Sequence, residues 1–137
     1  MTEIGPVGSH RQTFESIKRS DERSGEFWLA RELAPVLEYP FHQHFSPVIE
    51  KARTACAKVG HEPNDHFTDI REMVDIGSGA RREISDVRLS RYACYLIVQN
   101  GDPSKPVIAV GQTYFAIQTR RQELQEEKAF ADLSEAG

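Results

Sequence analysis

Residues 67–89 read FTDIREMVDIGSGARREISDVRL, and this stretch decides the fold class. Two runs able to form strands, Phe67 to Ile76 and Arg82 to Leu89, flank Gly77-Ser78-Gly79. Ile70, Met73, Val74 and Ile76 supply the apolar residues of the first run, Ile84 and Val87 those of the second. A glycine-rich linker between two short β-capable runs predicts a hairpin. Immediately downstream the pattern changes. Ser90 is placed to cap a helix from Arg91 to Asn100, with Gly101 after its end and Pro103 beyond. Leu89, Ala93, Leu96 and Ile97 suit the core side of that segment. From Val107 to about Leu133 the apolar residues Val107, Val110, Tyr114, Ile117, Leu124, Phe130 and Leu133 form one long helical pattern. Gly111 is tolerated inside it at a cost of about 1 kcal/mol against alanine.

Upstream, the helical signals are more broken. Phe14 to Ile17 is either a short amphipathic helix capped by Thr13 or an edge strand, and Ser20 to Gly25 reads as a charged turn. Leu29, Leu33, Val36 and Leu37 recur at helical spacing through Ala30 to Glu38, with Pro35 expected to delay or kink the helix and Tyr39-Pro40 to end it. Ser46 is expected to cap the next helix, with Pro47 at its favoured first position and Gly60 as its stop. Residues 1–12 read as a loose tail and Ser134 to Gly137 as a frayed end, leaving one domain over 13–133. The expectation is an α+β domain, predominantly helical, with one β-hairpin.

The chain has 137 residues, of which 39% are hydrophobic and 28% charged, an ordinary balance for a single soluble core. No apolar run approaches the roughly 18 residues of a membrane helix, and the N-terminus has no signal-peptide pattern. Two cysteines cannot build a disulfide framework, so the cytoplasm is the expected compartment. The formal net charge of −4 carries no global basic signature, but the charges are unevenly spread. Residues 1–78 hold 9 basic and 13 acidic groups, residues 79–121 hold 7 and 3, and residues 122–137 hold 1 and 5. A basic block between acidic flanks points either to a polyanion-facing surface or to arginines that solvate helix faces and pair with nearby acids.

The residues that could carry chemistry favour binding over catalysis. Ser78 lacks the nucleophile-elbow pattern, and Cys56 and Cys94 fall on apolar helix faces, where structural thiols are expected. His42, His44, Cys56, His61, Asp65 and His66 match no metal-ligand spacing, so neither a metal nor a cofactor is expected. The carboxylates are dispersed, and the reading is of a non-enzyme. Backbone amides at the hairpin tip beside Arg81 and Arg82 could meet a phosphate, because arginine matches phosphate oxygens bidentately. Arg88, Arg91, Tyr92 and Tyr95 fall close together in sequence, and arginine beside tyrosine suits phosphate contact and base stacking. The same tyrosines also suit half-buried packing. Arg120 and Arg121 extend the basic surface or pair with Glu123 and Glu126.

Several segments together carry a resemblance. They are Phe27-Trp28-Leu29-Ala30-Arg31-Glu32-Leu33, Leu37-Glu38-Tyr39, Pro47-Val48-Ile49-Glu50-Lys51-Ala52, Asp65-His66-Phe67 and Ile76-Gly77-Ser78-Gly79-Ala80, followed by the run from Leu89 to Pro103 and that from Gly111 to Arg120. Over roughly residues 13–125 the chain resembles the N-terminal part of the bacterial DNA-damage-inducible protein D family, itself similar to the BRO N-terminal domain of viral and phage regulators. Phe41-His42-Gln43-His44 departs from the bulky residue the family tends to carry there. The resemblance implies a BRO-N-like fold and a DNA-damage (SOS) response module without catalytic chemistry. It also implies DNA, single- or double-stranded, as partner. Action on a recombinase filament or repressor as a protein-interaction module is the alternative, with the long last helix either packing on its own domain or forming a homodimer.

Overall fold

A computed structural model describes residues 14–23, 25–39 and 42–136; the expected tail of residues 1–12 lies outside them. The chain folds as an α+β domain around an antiparallel four-stranded sheet. A helical turn, α1 (residues 14–17), precedes strands β1 (Arg19–Asp21) and β2 (Gly25–Leu29). Helices α2 (Ala30–Val36), α3 (His42–Lys58) and α4 (Pro63–His66) follow. Strands β3 (Phe67–Gly77) and β4 (Ala80–Leu89) lead into α5 (Arg91–Gln99) and α6 (Pro106–Ala136). The strand order is β1-β2-β4-β3, so β3 is an outer strand.

The expected hairpin is present, and its turn shows why. Ser78 and Gly79 both have positive φ, 53° and 75°, the backbone of a type I′ turn that matches strand twist. The strands it joins are longer than the sequence pattern suggests, and Ile76 is an extra residue between the Asp75↔Arg81 and Gly77↔Ala80 pairs. Ser90 caps α5 as expected, its hydroxyl accepting from Ala93 N–H at 3.0 Å. Gly60, at φ 91°, ends α3: its N–H bonds to Ala57 C=O and that of His61 to Cys56 C=O, the paired closure of a Schellman motif.

Three local expectations are corrected. The segment Ser20–Gly25 is not all turn, because Arg19 to Asp21 forms a strand paired with β2 through Arg19↔Phe27 and Asp21↔Gly25. Ser46 and Pro47 do not begin α3; they lie inside it. Phe45 is fully buried and packs on Tyr39 at 5.1 Å between ring centroids, which draws the helix start upstream. Pro47 then forfeits only one bond near that start. Pro35 sits in the last turn of α2, which starts on time at Ala30 and ends at Val36 rather than at Tyr39-Pro40. Glu38 takes the left-handed conformation, φ 65°, that closes the turn.

The core forms where the sheet base, α2, α3, α5 and the first half of α6 converge. Trp28, Phe14 and Phe115 are fully buried, with Trp28 and Phe115 edge to face at 5.3 Å. Trp28 Nε1 donates to the Phe14 carbonyl at 3.1 Å, which ties α1 to the sheet and satisfies a buried donor. Gly111 is where α6 meets α5: a Cβ there would lie 3.1 Å from Val98 Cγ1 and 3.3 Å from the Phe14 ring. Its helix-propensity cost therefore secures close packing. Beyond Thr119 the α6 residues are exposed as far as residue 133, with Leu124 49%, Phe130 73% and Leu133 73% exposed. No helix among the described residues is long and apolar enough to cross a membrane.

Candidate nucleic-acid interface

The eight residues singled out for DNA contact fall into three places. Arg81 and Arg82 lie at the tip of the β3–β4 arm, both exposed. Successive strand residues face opposite ways, so the two arginines present charge on both faces of the arm. Arg81 sits opposite Asp75, with Nε 3.5 Å from its carboxylate, and on the same face Arg71 approaches Glu83 at 3.6 Å. Arg82 lies opposite Val74 and forms no ion pair among the described residues.

Arg88 and Arg91 lie at the root of the arm, about 23 Å from Arg81 at the rise of an extended strand. Arg88 Nη2 donates to Asp21 at 2.6 Å, and its guanidinium stacks over the Phe27 ring at 3.7 Å. Arg91 forms an ion pair with Glu26 and donates through Nη1 to Gln122 Oε1 at 3.0 Å. These partners come from β1, β2 and α6, far away in sequence. Tyr92 and Tyr95 stack on each other at 6.2 Å, and both are partly buried against the core. Arg120 pairs along α6 with Glu123 at 3.2 Å and Glu127 at 3.7 Å, whereas exposed Arg121 forms no ion pair among the described residues. The structure therefore brings Arg91, Tyr92 and Tyr95 together, separates them from Arg81 and Arg82, and leaves Arg82 and Arg121 with the freest cations of the eight.

Beside the root lies an open groove of about 510 Å³, lined by residues that include Glu26, His61, His66, Arg91, Tyr92 and Thr119. His61 and His66 were legible only as loop histidines, yet both rings pack edge to face on Tyr92, at 4.9 and 5.0 Å. His66 Nδ1 lies 2.7 Å from Ser90 Oγ. Burial, and then the neighbouring His61, hold its pKa below the usual imidazole value. Arg91 Nε and Thr119 Oγ1 are buried with no hydrogen-bond partner among the described residues. Nothing in the spacing of residues 26, 61, 66, 91 and 119 could have announced this juxtaposition.

Two further polar groups fix the root. Asp86, 3% exposed, accepts from Arg31 N–H at 3.0 Å and from Val87 N–H at 2.8 Å. Leu29, the N-cap of α2, has no side-chain bond of its own, so β4 supplies the cap instead. Tyr114 donates to Glu15, which holds that carboxyl below its ordinary value, while burial raises the Tyr114 phenol. Cys56 and Cys94 are fully buried, and burial pushes both thiols up, Cys94 furthest. They fit the structural role expected of them, because a raised pKa suppresses the nucleophilic thiolate.

Among curated proteins, DNA damage-inducible protein D of Escherichia coli (strain K12) is 55% identical over 129 residues, 94% of this chain and 47% of the relative. No family model matches the chain, and no solved structure matches it. The likeness to the BRO N-terminal domain thus rests on the sequence motifs alone. The chain is thus similar over nearly all of its own length to DNA damage-inducible protein D, and it spans about half the length of that curated relative.

Proposed function

We propose that the chain is a non-enzymatic module of the DNA-damage response that meets DNA through the tip of the β3–β4 arm. The relative's name supplies the process. The observation that carries the contact is the projecting two-stranded ribbon with adjacent Arg81 and Arg82 in solvent at its end. A β-ribbon is narrow enough for the major groove of a duplex, and guanidinium forks suit phosphate oxygens. From residue 71 to residue 83 the arm carries three arginines and three carboxylates, so attraction is local to the tip and does not rest on net charge. Arg121 on α6 is a second cation open to a polyanion. Arg88, Arg91 and Arg120, held by acids, serve chiefly to set the arm and helix in place, and Tyr92 and Tyr95 pack rather than stack on bases. Buried thiols and a serine confined to a hairpin turn suit a binder working in the cytoplasm.

The test is fluorescence anisotropy of labelled single-stranded and duplex DNA, titrated with the chain from low to physiological salt. Each phosphate neutralised contributes about 0.9 to the logarithmic salt slope on duplex and about 0.7 on single strands. Replacing Arg81 and Arg82 by alanine is expected to weaken binding and shrink the slope by roughly 1 to 2. An unchanged slope would remove the tip from the interface.

A second reading has its own observation. Leu124, Phe130 and Leu133 are exposed on the C-terminal half of α6. Such a helix suits a protein partner, a recombinase filament or a repressor, and no DNA binding at low salt would favour it.

A further inference from the structure

The outer strand β3 ends the sheet among the described residues, with eleven residues and one open edge. Two features make that edge self-complementary. The first is the direction of its backbone groups. Ser90 N–H bonds to His66 C=O at 3.0 Å, an even–even pair continuing the Phe67↔Leu89 register. In an antiparallel ladder, bonding and non-bonding pairs alternate, so even-numbered β3 residues turn their N–H and C=O groups toward β4. Asp69, Arg71, Met73 and Asp75 therefore present theirs to the open edge.

The second is charge. When a second copy of β3 approaches antiparallel with Met73 opposite Met73 of the other copy, Arg71 faces Asp75 twice and Ile70 faces Ile76 twice. All the facing odd-numbered residues then present bonding groups to each other. Centring on Arg71, on Glu72 or on Asp75 instead sets like charges opposite. Arg71 and Asp75 share the arm's face with Glu83 and Arg81, already 3.6 and 3.5 Å from them. The pairing would extend these contacts into two four-residue rows of alternating charge, each crossing both arms. Met73, 49% exposed, and Ile76, 59% exposed, would be covered.

We propose that two copies of this chain pair through the β3 edge, in the register centred on Met73, to form one continuous sheet. The proposal is independent of DNA binding, and its test contains no nucleic acid. Sedimentation of the chain from about 1 µM to about 500 µM should show a species of twice the 15.5 kDa monomer mass growing in with concentration. Arg71→Asp makes the edge acidic and Asp75→Arg makes it basic. Each variant alone should stay monomeric, with unchanged circular dichroism, and an equimolar mixture should associate. Both positions are exposed and outside the core, so the domain does not depend on them, and association of the mixture would show that each variant's arm is intact despite the lost pair with Glu83 or Arg81.

A second arm fixes the register. Met73→Cys should form an intermolecular disulfide under mild oxidation, because a directly opposed bonding pair has Cα atoms about 5.5 Å apart. Asp75→Cys should not, since its twin would lie about 13 Å away along the strand. The native cysteines are buried and contribute no background. A monomer at every concentration would overturn the proposal. So would a dimer indifferent to both charge variants, which would point to α6, or a mixture that fails to associate. Equal cross-linking at positions 73 and 75 would overturn the register.

Discussion

Removing the carboxylate of Asp86 should loosen the root of the arm by an amount the geometry sets. Its Oδ1 is the acceptor for Arg31 N–H in the first turn of α2 and for the N–H of Val87. α2 has seven residues, carries Pro35 and has no side-chain cap of its own, so it cannot persist without tertiary support. A hydrogen bond to a charged group contributes about 1.5–3 kcal/mol, and the Arg31 bond, partly exposed, belongs at the low end. Charge at a helix N-terminus adds about 0.3–1 kcal/mol. Allowing for water reaching the freed groups, Asp86→Ala should cost about 2–4 kcal/mol. Asp86→Asn keeps an acceptor oxygen and should cost about 1 kcal/mol. Urea denaturation followed by fluorescence reads this directly, since Trp28 is the single tryptophan and is fully buried. The midpoint should fall with the slope unchanged. If asparagine proves as damaging as alanine, or alanine costs under about 0.5 kcal/mol, the capping account is wrong.

Two further outcomes are expected. Gly111→Leu should destabilise by about 1–3 kcal/mol despite the roughly 1 kcal/mol gained in helix propensity, because any Cβ there already meets Val98 and Phe14; a raised denaturation midpoint would contradict this. For His66, the folded pKa lies below its ordinary 6.5, so the unfolded chain binds more protons as pH falls. Its contribution is complete above about pH 6.5 and is lost below it. The stability of His66→Gln measured between pH 7.5 and 5.5 should therefore decline less than that of the parent, and an identical decline would exclude the ring as the source.

What the sequence disclosed is what local physics controls. The I′ turn needs two left-handed residues, and Gly77-Ser78-Gly79 announces it; Ser90 likewise starts α5 and Gly60 stops α3 by chemistry confined to a few neighbours. What it withheld depends on distant contacts. Arg19-Ser20-Asp21 is polar and exposed and becomes a strand only because β2 lies beside it. Ser46-Pro47 satisfies every local rule for a helix start, and the burial of Phe45 overrides it. The same holds for the candidate interface. Arg88 and Arg91 look like free cations in a basic block, but Asp21 lies 67 residues from Arg88 along the chain. A charge count along the sequence sees the arginines and cannot see the acids that hold them.

The arm's two faces divide the proposed roles. An isolated two-stranded ribbon is marginal in water, so the outer half of β3–β4 relies on its own cross-strand pairs and on a root held by Asp86, Arg88 and the core. Strand alternation places Arg71, Met73, Asp75, Arg81 and Glu83 on one face, where the charges already pair and are complementary to a second copy. Arg82 lies on the other face beside Val74, without an ion pair among the described residues. Self-pairing through the β3 edge would extend the charge rows of the balanced face and leave Arg82 on the other face, doubled by the two-fold relation. A polyanion would then meet two separated Arg82 cations on one sheet surface, whereas Arg81, already beside Asp75, belongs to the paired rows and would be shared between the two associations. Arg81→Ala is therefore expected to weaken both events, and Arg82→Ala the DNA contact alone.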